Sequence, residues 1–148
     1  MNRERRIFGC FGALVCALPT APLAWFLLQI GSFTGFAGLI GFLLALGGYR
    51  LLARRCSGLG ICAAALLAPL TALPGLYYGC ATLILRVNMR YGCSMADALE
   101  HVPVWALDPI YRGQLRWDLG SVVFLDLLTA ALTARYLVLR RREAGSQE

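Results

Sequence analysis

Four apolar stretches, each long enough to cross a bilayer as a helix, constrain this chain more than anything else in it. They run from Ile7 to Ile30, Phe33 to Leu52, Leu59 to Leu85 and Leu119 to Leu139. A helix needs roughly 20 residues to cross about 30 Å of hydrocarbon, and no stretch holds more than one acidic group. Hydrophobic residues make up 59% of the chain and charged residues 15%, a balance foreign to a soluble domain of 148 residues. The expected fold is an all-α membrane protein, with four transmembrane helices in a single membrane domain covering residues 1–148.

The first stretch follows Arg3, Arg5 and Arg6, so a cleaved signal peptide is the reading to exclude. Its apolar run continues through Trp25, Phe26, Leu27 and Leu28. Residues 17–24 place prolines where a cleavage site needs small residues, which predicts an uncleaved helix. Cys10 lies too early in the run to be a lipoprotein cysteine.

Orientation follows from the arginines, since the chain has no lysine. Arg3, Arg5, Arg6, Arg50, Arg54, Arg55, Arg135, Arg140, Arg141 and Arg142 fall on one side. Arg86, Arg90, Arg112 and Arg116 fall on the other, offset by Asp97, Glu100, Asp108 and Asp118. The positive-inside rule then predicts both termini on the cytoplasmic face of the cell membrane. A net charge of +6 would ordinarily invite a nucleic-acid partner. Here the charge is gathered at membrane edges, where its partner is the lipid bilayer.

The connections are uneven. Gly31-Ser32 makes a tight turn and residues 53–58 a short basic loop, whereas Val87 to Asp118 is an outer segment too long to be structureless. Ser94 with Asp97 is a capping-box pattern, and Met95, Leu99 and Val102 share one face of a short amphipathic helix ended near Pro103. Asp108-Pro109 starts a second short helix. Trp105, Tyr111 and Trp117 favour the headgroup region, so the segment is expected on the outer surface.

Within the spans, Gly31, Gly35, Gly38 and Gly41 form a stripe suited to close helix packing. Pro19 and Pro22 in the first span, and Pro69 and Pro74 in the third, are expected to kink or unwind their helices and free carbonyls near mid-membrane. Asp126 is the one acidic residue inside a span. An ionised carboxylate there costs on the order of 3 kcal/mol, so it is protonated, paired or wet. Arg86, at the outer end of the third span, is its nearest candidate partner by depth. Asp126 reads either as a proton- or cation-linked site or as a structural acid.

Other chemistry has little to build on. Asp97 and His101 can share a helix face, but the chain has one histidine, and Asp97, Glu100 and His101 read as a solvated polar face with no metal. Cysteines at 10, 16, 56, 62, 80 and 93 have no Cys-x-x-Cys spacing and read as packing residues. Only Cys93, and with it Cys80, is placed where an oxidising exterior could act on it. No catalytic constellation and no cofactor motif is found.

The mid-span proline followed by Trp25, the run Gly47-Gly48-Tyr49-Arg50-Leu51, the segment Ser94-Met95-Ala96-Asp97-Ala98-Leu99 with Val102-Pro103, and Asp118-Leu119 carry a resemblance. The chain resembles small uncharacterised bacterial four-pass integral membrane proteins. The likeness implies a four-helix fold and no particular activity. The cysteine-rich, lysine-free composition and His101 depart from it.

Two functional classes follow. The leading one is a structural or accessory subunit that binds a membrane-protein partner through the glycine stripe or the outer segment. The alternative is a small transporter or channel-like protein using Asp126, which four spans could support only as a homo-oligomer. An enzyme is not expected.

Overall fold

The computed structural model describes residues 6–54, 57–88 and 91–145, with the side chains of 110 and 140–145 excepted. Arg3, Arg5, Arg55, Arg90 and Cys56 lie outside the described residues, as do the side chains of Arg140, Arg141 and Arg142. Six helices account for the regular structure: α1 (Arg6–Ala17), α2 (Thr20–Gln29), α3 (Gly35–Ala53), α4 (Gly58–Asn88), α5 (Met95–Leu107) and α6 (Pro109–Gly145). Among the described residues there is no strand. Four helical segments are long and apolar enough to cross a membrane: Arg6–Gln29, Gly35–Ala53, Gly58–Asn88 and Tyr111–Leu139.

The first of these segments is broken once. Leu18 and Pro19 form a turn between α1 and α2, with Pro19 at the N-cap of α2. Pro22 falls in the first turn of α2, where backbone N–H groups have no partner inside the helix, so its missing donor costs nothing. The two prolines therefore make one break rather than two kinks. Pro69 and Pro74 sit inside α4, which remains helical for 31 residues; the expected unwinding does not occur.

The connection between α4 and α6 departs further from expectation. α5 does not end near Pro103 but runs on to Leu107. A proline at 103 leaves the carbonyl of Leu99 without its helical donor, and the hydroxyl of Tyr77 on α4 donates to that carbonyl at 2.8 Å. Tertiary contact thus repairs what the sequence breaks. After Asp108, whose backbone is extended as the residue before a proline prefers, α6 starts at Pro109 and continues for 37 residues. The second short helix expected before Leu119 is the beginning of this last helix, because nothing between Pro109 and Leu119 breaks it.

Small residues set the helix contacts. Gly60, Ala64, Ala68 and Ala72, four residues apart along α4, are all buried. Gly12 on α1 and Gly48 on α3 each face the other's carbonyl so closely that neither position has room for a Cβ, and Gly75 stands in the same relation to the carbonyl of Ala21. Of the expected glycine stripe, Gly35 and Gly38 lie against the backbone of Ser121 and Val122 on α6, and Gly41 faces Thr20 and Ala68. Gly31 is not part of it. It lies in the turn before α3 with a φ of +65° and nothing within 4 Å of a Cβ built on it, because α3 begins only at Gly35.

Two apolar clusters fill the bundle. One joins Ala13, Tyr49, Ala53, Ile61 and Ala130; the other joins Ala24, Ala37, Ala72, Leu76 and Val122. The first lies where α1 and α4 begin and α3 ends, and so marks the end of the bundle that carries Arg6, Arg50 and Arg54. Arg86 belongs to the opposite end, with α5.

Candidate functional site

Polar side chains are buried at two levels, with a cavity at a third, and each level follows from a local feature of the sequence. The deepest is the boundary between the two apolar clusters. Thr20 falls between Ala17 and Ala24, Thr71 between Ala68 and Ala72, and Asp126 between Val122 and Ala130, the former of each pair of cluster members differing by a turn or two of helix from the latter. Thr20 and Asp126 are fully buried. Thr71 donates to carbonyls of its own helix, Leu67 at 2.9 Å and Ala68 at 3.0 Å. In contrast, neither oxygen of Asp126, nor the hydroxyl of Thr20, has a hydrogen-bond partner. Thr20 is the first residue of α2, directly after the Leu18-Pro19 turn, and packs near Gly41 on α3.

Arg86 is not the partner of Asp126. The guanidinium is exposed near the end of α4, beside the cavity that Gln114 and Asp118 also line. Asp126 lies eight positions further along α6 than Asp118, roughly 12 Å at 1.5 Å per residue, and matching charge to depth from the sequence missed that offset.

The second level is built around Asp118, which is 5% exposed. Thr34 donates to Asp118 Oδ1 at 2.9 Å, and Gln114 donates to Oδ2 at 3.3 Å. Ser121 Oγ donates to the Asp118 carbonyl at 2.8 Å. Thr34 is the N-cap of α3 but makes no side-chain cap; its hydroxyl joins α3 to α6 instead. The carboxylate thereby lies at the N-terminus of α3, where the helix dipole favours negative charge. Reading Asp118 as a surface acid that offsets an arginine missed this. The signal available was the spacing of Gln114, Asp118 and Ser121, which puts all three on one face of a helix.

The third level is a cavity of about 280 Å³ between α4, α5 and α6, closed by the last turn of α2. Leu83, Val102, Ala106 and Leu115 supply apolar wall, with Arg86 and Asp118 as its charged groups. Trp105 and Tyr111, on either side of the α5–α6 junction, stack with ring centroids 3.8 Å apart and planes 9° apart. α5 itself is held on α4 by the Tyr77 bond and by Ala98 and Val102 packing on Ala81 and Ile84.

The α5 N-terminus carries the capping box expected from Ser94 and Asp97. Asp97 N donates to Ser94 Oγ at 3.2 Å, and Ser94 N donates to Asp97 Oδ2 at 2.9 Å. The Ser94 hydrogen bonds, side chain first and then backbone, hold the Asp97 carboxyl below the ordinary carboxylate range. His101 Nδ1 lies 2.6 Å from the carbonyl of Asp97. Among the described residues no three His, Cys, Asp or Glu side chains come together as a metal-holding group. Cys80 and Cys93 are free thiols.

Among the described residues these features define an all-α chain with four helices of membrane-spanning length, a fully buried acid without a hydrogen-bond partner, and a cavity beside α5. No known family, no curated protein and no solved structure matches it.

Proposed function

We propose that this chain is a small membrane protein that binds and releases a proton at Asp126, acting as an oligomer in a transporter-like or channel-like role. The observation that carries the reading is the Asp126 carboxyl, fully buried with neither oxygen bonded. A structural acid in a membrane bundle is paired with a cation or donates its hydrogen to a carbonyl on a neighbouring helix. Asp126 does neither. A proton is the one ligand that neutralises a carboxylate without needing a second side chain. The unpaired hydroxyl of Thr20, next to the break between α1 and α2, supplies a second polar atom at the same level.

Glycine and alanine contacts close the middle of a single bundle, so a path across the membrane requires a second copy or movement of α1 against α2. The test is proton flux into vesicles holding the purified protein, driven by a potassium diffusion potential and read with an enclosed pH dye. Wild-type protein is expected to conduct, and Asp126→Asn to lower the flux at least tenfold with an unchanged melting temperature. Equal flux in the two proteins, or none in the wild type, overturns the reading.

A second reading, the accessory subunit, is favoured by α6. Only 11% of its most apolar window is buried, against 44% for α3 and for α4. Gly113 and Gly120, two turns apart on α6, have nothing within 4 Å of a Cβ position. In this reading α6 is the face that meets a partner helix. Purification in mild detergent discriminates the two: a stoichiometric foreign subunit supports the accessory role, and a homo-oligomer supports the proton-linked one.

A further inference from the structure

We infer that the cavity beneath α5 is a binding site for a single-chain anionic amphiphile, its acyl chain lying between α4, α5 and α6 and its anionic head on Arg86. Three independent properties of the cavity select that chemistry. The first is size: about 280 Å³ lies at the lower edge of ordinary small-molecule sites, and it is too small for a helix of ~10–12 Å diameter. One acyl chain segment fits the space. The second is the wall, where Leu83, Val102, Ala106 and Leu115 present hydrocarbon.

The third property is charge. Two ionic groups border the cavity, and only one is spent. The Asp118 carboxylate already accepts from Thr34 and Gln114. Arg86 makes no ion pair with any described residue, and its exposed guanidinium offers a fork of donors matched to a carboxylate. Because α4 carries Leu83, Arg86 and Val87 on adjoining positions, the cation stands at the rim of the apolar wall, the arrangement that an amphiphile requires. The Asp118 charge, which lines the same cavity, disfavours a head of more than one negative charge.

α5 is the element that makes the site. Without the Tyr77 hydrogen bond to Leu99 and the packing of Val102, the cavity would be an open groove on α4. Trp105 lines the cavity, which gives an internal reporter.

The test uses quenching of Trp105 fluorescence by 9,10-dibromostearate, with the full-length protein in mild detergent and Trp25→Phe and Trp117→Phe leaving Trp105 alone. Its methyl ester, which keeps the chain and removes the charge, is the control for partition into the micelle. Saturable quenching is expected, at half-saturating concentrations at least tenfold lower for the acid than for the ester. Arg86→Gln is expected to erase that difference and Arg86→Lys to keep most of it. Should the double tryptophan variant not fold, Trp105→Phe in the otherwise natural chain is expected to remove the saturable component. Equal quenching by acid and ester, or an acid preference indifferent to Arg86→Gln, overturns the inference. Stronger saturable quenching by dibrominated phosphatidylglycerol than by the fatty acid overturns its single-chain form.

Discussion

Tyr77, Leu99 and Pro103 show how a single tertiary contact decides the length of a helix. Pro103 removes the donor that the Leu99 carbonyl would use, and Tyr77 replaces it from another helix at 2.8 Å. Tyr77→Phe should therefore destabilise α5 by about 1 kcal/mol, the usual net worth of such a bond. In a Pro103→Ala background the helix regains its own donor, so the same substitution should cost less than half as much. Hydrogen exchange of residues 99–107 across this double-mutant cycle measures the coupling, and strictly additive effects would refute it. The proline itself was plain in the sequence, but a proline predicts a helix end only when no other group reaches the orphaned carbonyl. Asp126 is a parallel case. Its residue type and its place in an apolar run made it conspicuous, whereas the absence of Arg86 from its surroundings depends on the register between α4 and α6, which periodicity does not encode.

At the scale of elements, apolar length was legible and the boundaries between α5 and α6 were not. Asp108-Pro109 does start a helix, but nothing marks that the helix continues unbroken through Asp118 into the last span. Helix contacts are a second case. Gly47 and Gly48 are adjacent and chemically identical, yet a Cβ at Gly48 would meet the Gly12 carbonyl and Cys16, whereas one at Gly47 meets nothing within 4 Å. Gly47→Ala should stabilise the protein by about 0.5–1 kcal/mol through helix propensity. Gly48→Ala should destabilise it by about 1–3 kcal/mol, since α1 and α3 must separate to admit the methyl group. Opposite shifts in melting temperature are the expected result, and shifts of the same sign would rule out the close α1–α3 crossing. The capping box of α5 gives a prediction in pH. The folded Asp97 carboxyl titrates below its ordinary range because of Ser94. Its contribution is thus present above the ordinary carboxylate pKa and is lost as pH falls through the lowered folded value. The Ala98 amide, which donates to the Ser94 carbonyl at 3.0 Å, should keep its protection factor near pH ~6 and lose part of it near pH ~3. Asp97→Asn should flatten that dependence, and a dependence that survives the substitution would assign it to another group.

The whole molecule has two unlike ends, and the expectation for its orientation in a membrane rests on that difference. Arg6, Arg50 and Arg54 gather at the end where α1 and α4 begin and α3 finishes. Arg86, Arg112 and Arg116 belong to the other end, which also carries Asp97, Glu100, Asp108 and the buried Asp118. The positive-inside rule counts Lys and Arg flanking the spans, and by that count the α5 end is expected to face outward. Cys93, just before α5, is then expected to react with a membrane-impermeant maleimide in intact cells, while Cys56, outside the described residues, reacts only after the cells are opened. Single-cysteine variants keep the two signals apart, and labelling of each in detergent gives its full value, since the Cys93 thiol is half-buried. Reversed labelling would put the arginine-rich end outside. It would also move the mouth of the α5 cavity to the cytoplasmic leaflet, so the same measurement decides from which leaflet an amphiphile would enter and from which side protons would reach Asp126 first along α6.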